Sequence, residues 1–459
     1  MNRIFRLIVL LLGLWLCFDL ASHFTAETLW FGEVGYLREF LLRLATQLGL
    51  WAIAVFTSVS FLLSNLVLAS RLKYSPEELK TRQQNARKYG DRTQGENFSL
   101  LGKEAAPINT FHSPLPLHFL LPLVIILTCV VGAILIFYSQ KALDIWHPEI
   151  KLPTTPLELP PWLKQVSQEF NPQQLSLPIV QLGLLVVVTV AVLIHQEFWL
   201  RSIAVFISLL LGFLVSAQWD KVLLYFHKTL FNRAEPLFHR DISFYVFSLP
   251  IWELLVFWLV GLFLFNIAAV ALTYLCSGNS LSEGRFPGFS VSQRLHLNAI
   301  SSLFMLSIAL HYWLQRYELL YSTRGVNYGA SYTDVTVLLP IDTGLSVLAV
   351  AIAAYLLLRV IVLSKTTKTH FKPIPYPPQL IYALGLYVVI VSISGEILPS
   401  AVQRLIVQPN ELTRERPYIE RAITLTREGF NLNTIEARTF DPRGLLDSLC
   451  RKSLRVSAI

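Results

Sequence analysis

The stretch "LLVFWLVGLFLFNIAAVALTYL", Leu254 to Leu275, holds 22 residues and not one charge. At about 1.5 Å of rise per residue a helix of that length reaches the ~30 Å hydrocarbon core of a bilayer from side to side. Lipid offers no partner for a backbone N–H or C=O, so a run of this kind must be a helix that satisfies its own backbone. Eight further runs have similar character, at about 5–22, 44–69, 117–138, 178–195, 202–219, 296–314, 344–364 and 379–398, and the quoted run itself extends over about 251–275. The fold expected is all-α: a polytopic transmembrane bundle of about nine spans, with amphipathic interfacial helices and a short outer tail. The N-terminal run is interrupted by Asp19. It reads as an uncleaved span, because no small-residue cleavage site follows it. The fourth and fifth runs in chain order, joined by "HQEFWLR", read as a tight helical hairpin.

Composition agrees. Charged residues make up 15% of the 459, against about 25% in an ordinary soluble domain. The net charge of +8 does not indicate nucleic acid, because the basic residues gather in loops, where anionic lipid and the positive-inside rule account for them. With the N-terminus placed in the cytoplasm, 17 of the 38 Lys and Arg fall on the inner side, and eight of those lie between Arg71 and Lys103. That basic loop, 71–112, sets the expected orientation: N-terminus cytoplasmic and C-terminus extracytoplasmic, in the cell membrane. The four cysteines form no CxxC pair and no zinc spacing.

Two loops carry amphipathic patterns. In "PWLKQVSQEF", Trp162, Val166 and Phe170 share a helical face, and in "WDKVLLYFHKTLF", Trp219, Leu223, Phe226 and Leu230 do the same. Catalytic signatures such as HExxH, a P-loop, GxSxG and GxGxxG are absent, and no catalytic, cofactor-binding or metal-binding residue is assigned. Ionisable residues within spans are expensive and so draw notice: Asp19, Arg359 and Glu396. Each lies near a span end, where packing or snorkelling explains it more simply than a proton relay.

Three other stretches combine aromatics with charge: "WFGEVGYLREF" (30–40), "AEPLFHRDISFYVFSLP" (234–250) and "RYELLYSTRGVNYGASYTDV" (316–335). They mark Glu235, His239, Arg240, Asp241, Arg324 and Asp334 as loop candidates. Asp241, ahead of "ISFYVF", is placed to cap or pin a re-entrant element. Arg240, Asp241, Arg324 and Asp334 are candidates for one charged network. A structural cap that locks the bundle is the favoured reading over a ligand surface.

Together with "VQPNELTRERPYIERAITLTREGFNL", these stretches resemble uncharacterised protein family 0182, large multi-pass bacterial membrane proteins well represented in cyanobacteria and actinobacteria. The resemblance covers about 25–441 and carries no activity with it. It implies Asp where Glu235 stands and Gly where His239 stands. It also implies a large outer soluble domain after the charged helix, so the tail from 400 to 459 is expected to be the start of a truncated domain. Within that helix Pro417 suits a first turn, Arg416 and Glu420 make an i,i+4 pair, Gly429 suits the end, and Ile419, Ile423 and Phe430 form an apolar stripe.

Three functions are then in play. A membrane anchor that presents an extracytoplasmic region to envelope partners leads. A transporter or channel component, which would show discontinuous helices, paired charges or an internal repeat, comes second. An enzyme on lipid-linked or envelope substrates comes third, since Glu235, His239 and Asp241 are the only compact set. The expected partners are the lipid bilayer and envelope or outer-domain proteins, with no cofactor and no nucleic acid.

Overall fold

The computed structural model describes residues 3–73, 115–146, 179–276, 285–286, 289–366 and 378–435. Those residues are overwhelmingly helical, and the polytopic all-α bundle is what the apolar runs build. Strand pairing among them is limited to a two-residue antiparallel ladder, β1 (Leu115–Pro116) on β2 (Arg285–Phe286), and one bridge between Ala234 and Asp241. The loop 71–112, apart from its first three residues, and the stretch "PWLKQVSQEF" lie outside the described residues.

The helices are α1 (Arg3–Val34), α2 (Leu37–Leu72), α3 (Leu117–Trp146), α4 (Ile179–Ile194), α5 (Gln196–Ser216), α6 (Trp219–Phe226), α7 (Leu249–Leu275), α8 (Val291–Glu318), α9 (Leu339–Thr366), α10 (Pro378–Ser392), α11 (Leu398–Val402) and α12 (Glu411–Gly429). Seven continuous helical stretches among the described residues are long and apolar enough to cross a membrane. They contain α2, α3, α5, α7, α8, α9 and the run from Gly385 to Gly429. A shorter apolar helix, Gln181–Ile194, lies within α4.

The first helix departs from expectation. It does not end near residue 22, where its apolar run stops, but continues to Val34, because nothing before Gly35 stops it. Gly35 adopts φ 81°, Tyr36 N–H donates to Phe31 O at 3.0 Å and Gly35 N–H to Gly32 O at 3.3 Å. That bond pair is a Schellman stop, and it needs a residue free of the Cβ penalty at the left-handed position. The stretch "WFGEVGYLREF" is therefore the junction of two helices. The hairpin at "HQEFWLR" is tighter than the sequence suggests: His195 alone breaks the chain, and α5 takes up the rest.

The chain divides into two compact units, one of Met1–Leu314 with Thr343–Leu384 and one of Gln315–Asp342 with Gly385–Ile459. In the first unit α2 packs most extensively on α5, and α3 packs on both α4 and α7. Leu62, Leu66, Leu120, Leu200, Ile207, Leu211, Phe265 and Leu272 are buried in its core. Hydrocarbon is as apolar as leucine, so close packing rather than water exclusion holds such helices together. Gly261 shows how close: a Cβ there would overlap the Tyr138 hydroxyl, which donates to Phe257 O at 3.2 Å. Ala349 and Ala353, a small-xxx-small pair in sequence, are buried, and Ser302 and Ser346 tie α8 to α9 by donating to Ala353 O and Ala309 O. The amphipathic helix expected after Trp219 forms, but it ends at Phe226, so Leu230 is not part of its face.

Among the described residues, four five-residue π-turns interrupt the helices: Phe244–Ser248, Asp334–Leu338, Ile393–Ile397 and Gln403–Val407. Each is followed, two residues on, by a proline: Pro250, Pro340, Pro399 and Pro409. Proline brings no N–H and crowds the carbonyl four residues back. A π-turn widens the preceding turn, so the ring is admitted without a break in the chain direction. The alternating run "ISFYVF" is thus helix and π-turn, not an extended element: the proline requirement overrides its strand-like pattern.

Candidate functional site

The loop between α6 and α7 is held by two carboxylates. Glu235 is buried and accepts from the backbone N–H groups of Leu237 at 2.6 Å and Phe238 at 2.8 Å, and from the Tyr245 hydroxyl at 3.4 Å. The turn it closes brings His239 to φ 55°, and His239 N–H donates to Glu235 O at 2.9 Å. Asp241 follows as the cap of the next helix. Its Oδ1 accepts from Ser243 N–H at 2.8 Å and Phe231 N–H at 3.2 Å, and its Oδ2 from Arg233 N–H at 3.2 Å. Hydrogen bonds from the Ser243 side chain and backbone come first in holding its carboxyl below the usual range, ahead of those from Phe231 and Arg233, and partial burial opposes them. Arg240 places its guanidinium over the Phe244 ring, 4.7 Å from the centroid. The predicted role of Asp241 as a cap is what the geometry gives.

In the second unit, residues 331–334 form a capping box. Asp334 Oδ2 accepts from Ser331 N–H at 3.0 Å and Ser331 Oγ at 2.8 Å, and Ser331 Oγ accepts in turn from Asp334 N–H at 3.4 Å. Arg324 reaches Asp334 Oδ1 at 3.5 Å, so this predicted pair forms. Gly329 at φ 128° lets the loop fold back, with its N–H on Ser322 O at 3.0 Å. Helix α12 joins the same point. Glu415 is buried and takes the Tyr332 N–H on both oxygens, at 3.1 and 3.3 Å. Tyr418 meets Tyr332 edge-on with centroids 6.3 Å apart, Arg414 lies 5.4 Å from the Tyr332 centroid, and Thr333 donates to Gln403. Arg324 and Asp334 are brought together in this unit, while Glu235, His239, Arg240 and Asp241 gather in the other.

Helix α12 corrects one expectation. It begins at Glu411, so Pro417 stands in its interior, not in its first turn. The preceding "QPN" turn has its own proline, Pro409, and that is where the helix restarts. The Arg416–Glu420 pair forms at 3.0 Å, and Gly429 ends the helix. Ile423 and Phe430 of the predicted stripe are exposed, as is Leu412, while Ile419 is partly covered.

The intramembrane candidates remain scattered. Asp19 sits partly exposed within α1, Arg359 half-buried near the end of α9, and Glu396 on the Ile393–Ile397 π-turn, its side chain outside the described residues. Sequence reasoning missed Glu415, hidden among the charges of "TRERPYIER", and Asp342, which lies just before the apolar window of α9 yet is buried. Of the missed polar residues of α7 and α8, Asn266 carried a legible signal because it interrupts an apolar run, whereas His296 stands at the head of one. No group of three or more His, Cys, Asp or Glu among the described residues is arranged to hold a metal ion.

Known proteins bear on this geometry. The family described as "Uncharacterised protein family (UPF0182)" matches residues 4–455. The chain belongs to UPF0182. A UPF0182 protein of Nostoc sp. (strain PCC 7120) is 46% identical over 448 residues, covering 96% of this chain and 43% of the relative. One from Microcystis aeruginosa is 37% identical over 468 residues, 97% and 44%, and one from Synechocystis sp. (strain PCC 6803) is 34% identical over 453 residues, 96% and 43%. This UPF0182 chain therefore spans somewhat under half the length of these curated relatives. No solved structure matches it.

The two residues expected to differ from the family pattern now have a physical meaning. Position 235 closes a turn by accepting backbone N–H groups two and three residues on, which the shorter Asp side chain does in the same way. Position 239 is left-handed, the conformation glycine adopts without cost. Glu235 and His239 thus meet the backbone demands that Asp and Gly would meet at these two positions.

Proposed function

We propose that this UPF0182 chain is a membrane anchor that presents an extracytoplasmic region to envelope protein partners. The observation that carries it is the seating of α12. Glu415 joins the first turn of a membrane helix through Tyr332 N–H, while Leu412, Ile423 and Phe430 stay exposed. A helix fixed at one end with apolar side chains uncovered is a mount, and such residues bind protein or lipid when they find it. The loop carboxylates support the same reading, since Glu235, Asp241, Asp334 and Glu415 are all engaged with backbone N–H groups. A carboxylate committed to holding a helix end is a poor acid, base or ligand. In this reading the N-terminus is cytoplasmic, the tail from residue 400 begins a region outside the cell membrane, and the loop candidates are structural.

The test is photo-crosslinking in living cells from Ile423 and Phe430, with Thr434→Cys labelled by a membrane-impermeant maleimide to fix the side. Crosslinks to a discrete protein band together with labelling of intact cells are expected. Crosslinks to lipid alone, or labelling only after lysis, would end the proposal.

A second reading, a transporter component, has one specific observation in its favour. Asp241 and Ser331 both stand nine residues before a proline, each caps a helix start, and each is followed by a π-turn and then Leu-Pro-Ile. Two membrane helices entered by the same device resemble the repeats of transporters. Proteoliposomes that carry a solute or ion flux lost in Asp342→Asn would favour this reading over the anchor.

A further inference from the structure

Helix α2 carries a stripe of polar contacts at intervals of seven residues: Ser58, Asn65 and the carbonyl of Leu72. Each meets a side chain from α7 or α8. Trp258 Nε1 donates to Ser58 Oγ at 2.9 Å, His296 Nε2 lies 2.8 Å from Asn65 Oδ1, and Gln293 Nε2 donates to Leu72 O at 2.9 Å. Tyr274 adds a further link, its hydroxyl 2.6 Å from His296 Nδ1.

The direction of these bonds is fixed by one amide. Asn65 Nδ2 donates to Phe61 O at 2.7 Å, so its Oδ1 is the acceptor. His296 Nε2 must then carry the proton. In the neutral ring Nδ1 accepts, and the Tyr274 hydroxyl donates to it. The triad Tyr274–His296–Asn65 is thus a satisfied chain inside the helix bundle.

Asn266 breaks the pattern. It lies midway between Trp258 and Tyr274 on α7, eight residues from each, or about 12 Å along the axis. Trp258 contacts α2 at Ser58, and Val270 packs with Ala69 of α2. At about 100° per residue Asn266 falls between those two on the helix surface, so its amide is directed into the same seam. It is fully buried, and among the described residues neither its Oδ1 nor its Nδ2 has a hydrogen-bond partner. Buried amides are almost always partnered, and an orphaned one points to a water or ion that completes it. Asn266 offers one acceptor and two donors, which suits water.

We propose that the α2–α7–α8 seam is an internal hydration site, with ordered water seated on Asn266 and joining the Trp258–Ser58 pair to the Tyr274–His296–Asn65 triad. The seam would then be a continuous polar track through helices that otherwise present hydrocarbon. Water supplies what the side chains lack: a small group that donates and accepts at once across the gaps on either side of Asn266.

X-ray hydroxyl-radical footprinting of the full chain in lipid nanodiscs tests this, because radicals form from the water already in place. Oxidation of Tyr274 and Trp258 is expected well above that of Tyr138, which is buried against Gly261 on another face of α7. In Asn266→Leu that oxidation should fall several-fold, and the melting temperature should drop. Tyr274 as inert as Tyr138 in the unmodified protein overturns the proposal, and this comparison needs no variant to fold. So does a melting temperature of Asn266→Leu that rises or stays unchanged, since leucine replaces an orphaned amide without loss.

Discussion

Replacing Glu415 by alanine removes the acceptor that α12 supplies to Tyr332 N–H. Both carboxylate oxygens lie within hydrogen-bond range of that N–H, and the residue is buried. A hydrogen bond to a charged group is worth about 1.5–3 kcal/mol. The site also lies at a helix start, where a negative charge adds about 0.3–1 kcal/mol. Burial of the carboxylate costs most, and Asp334 and Glu411 stand near enough to repel it, so both offset part of the gain. One charged bond less these costs gives a net local loss of about 2 kcal/mol. Hydrogen exchange of the 331–336 segment in nanodiscs reads this directly. Opening of that turn should become roughly 30-fold more frequent, since about 1.4 kcal/mol is a factor of ten. Glu415→Gln, which keeps an acceptor, should recover about half of the effect in energy. An exchange rate at 331–336 that does not change in Glu415→Ala would show that α12 is not held by this bond, and the mount at the centre of the proposed function would fail with it.

Three further outcomes are expected. His239→Gly should raise the melting temperature, because a left-handed backbone costs an L-residue about 1–2 kcal/mol, of which glycine's greater freedom in the unfolded chain returns about 0.5–1; a lower melting temperature would mean that the imidazole itself holds the loop. Gly261→Leu should destabilise by about 1–3 kcal/mol, because any side chain there meets Tyr138, and thermal unfolding in detergent at several pH values would show a loss independent of pH. Asp241 has its folded pKa depressed, so its stabilising effect is full above the ordinary carboxylate range and is lost as pH falls through the lower folded value. Acid unfolding of Asp241→Asn should therefore lack part of the low-pH slope of the parent protein, and superimposable acid curves would refute the cap.

The sequence was most legible where one physical demand acted alone. Runs without charge had to be membrane helices, whatever packed around them, and the described helices follow those runs. Gly35 ends a helix through its left-handed backbone, and the end at Gly429, which was expected, is followed by a left-handed Asn431. Demands in competition were harder to read. "ISFYVF" alternates like a strand, yet Asp241 ahead of it and Pro250 behind it make it a capped π-turn. Pro417 looked like a helix start because the true restart, eight residues earlier at Pro409, falls in a polar stretch with no apolar period to announce it.

Local sequence therefore determined which segments are helices, where several of them stop, and that the charged residues would sit at their ends. Only tertiary structure decided which backbone N–H groups those charges serve. Glu415 and Tyr332 are 83 residues apart, and nothing in either neighbourhood names the other. His296 and Asn65 are 231 apart. A hydrogen bond between distant segments depends on how whole helices pack, and packing is fixed by side-chain volumes summed over many positions rather than by any motif a short window contains.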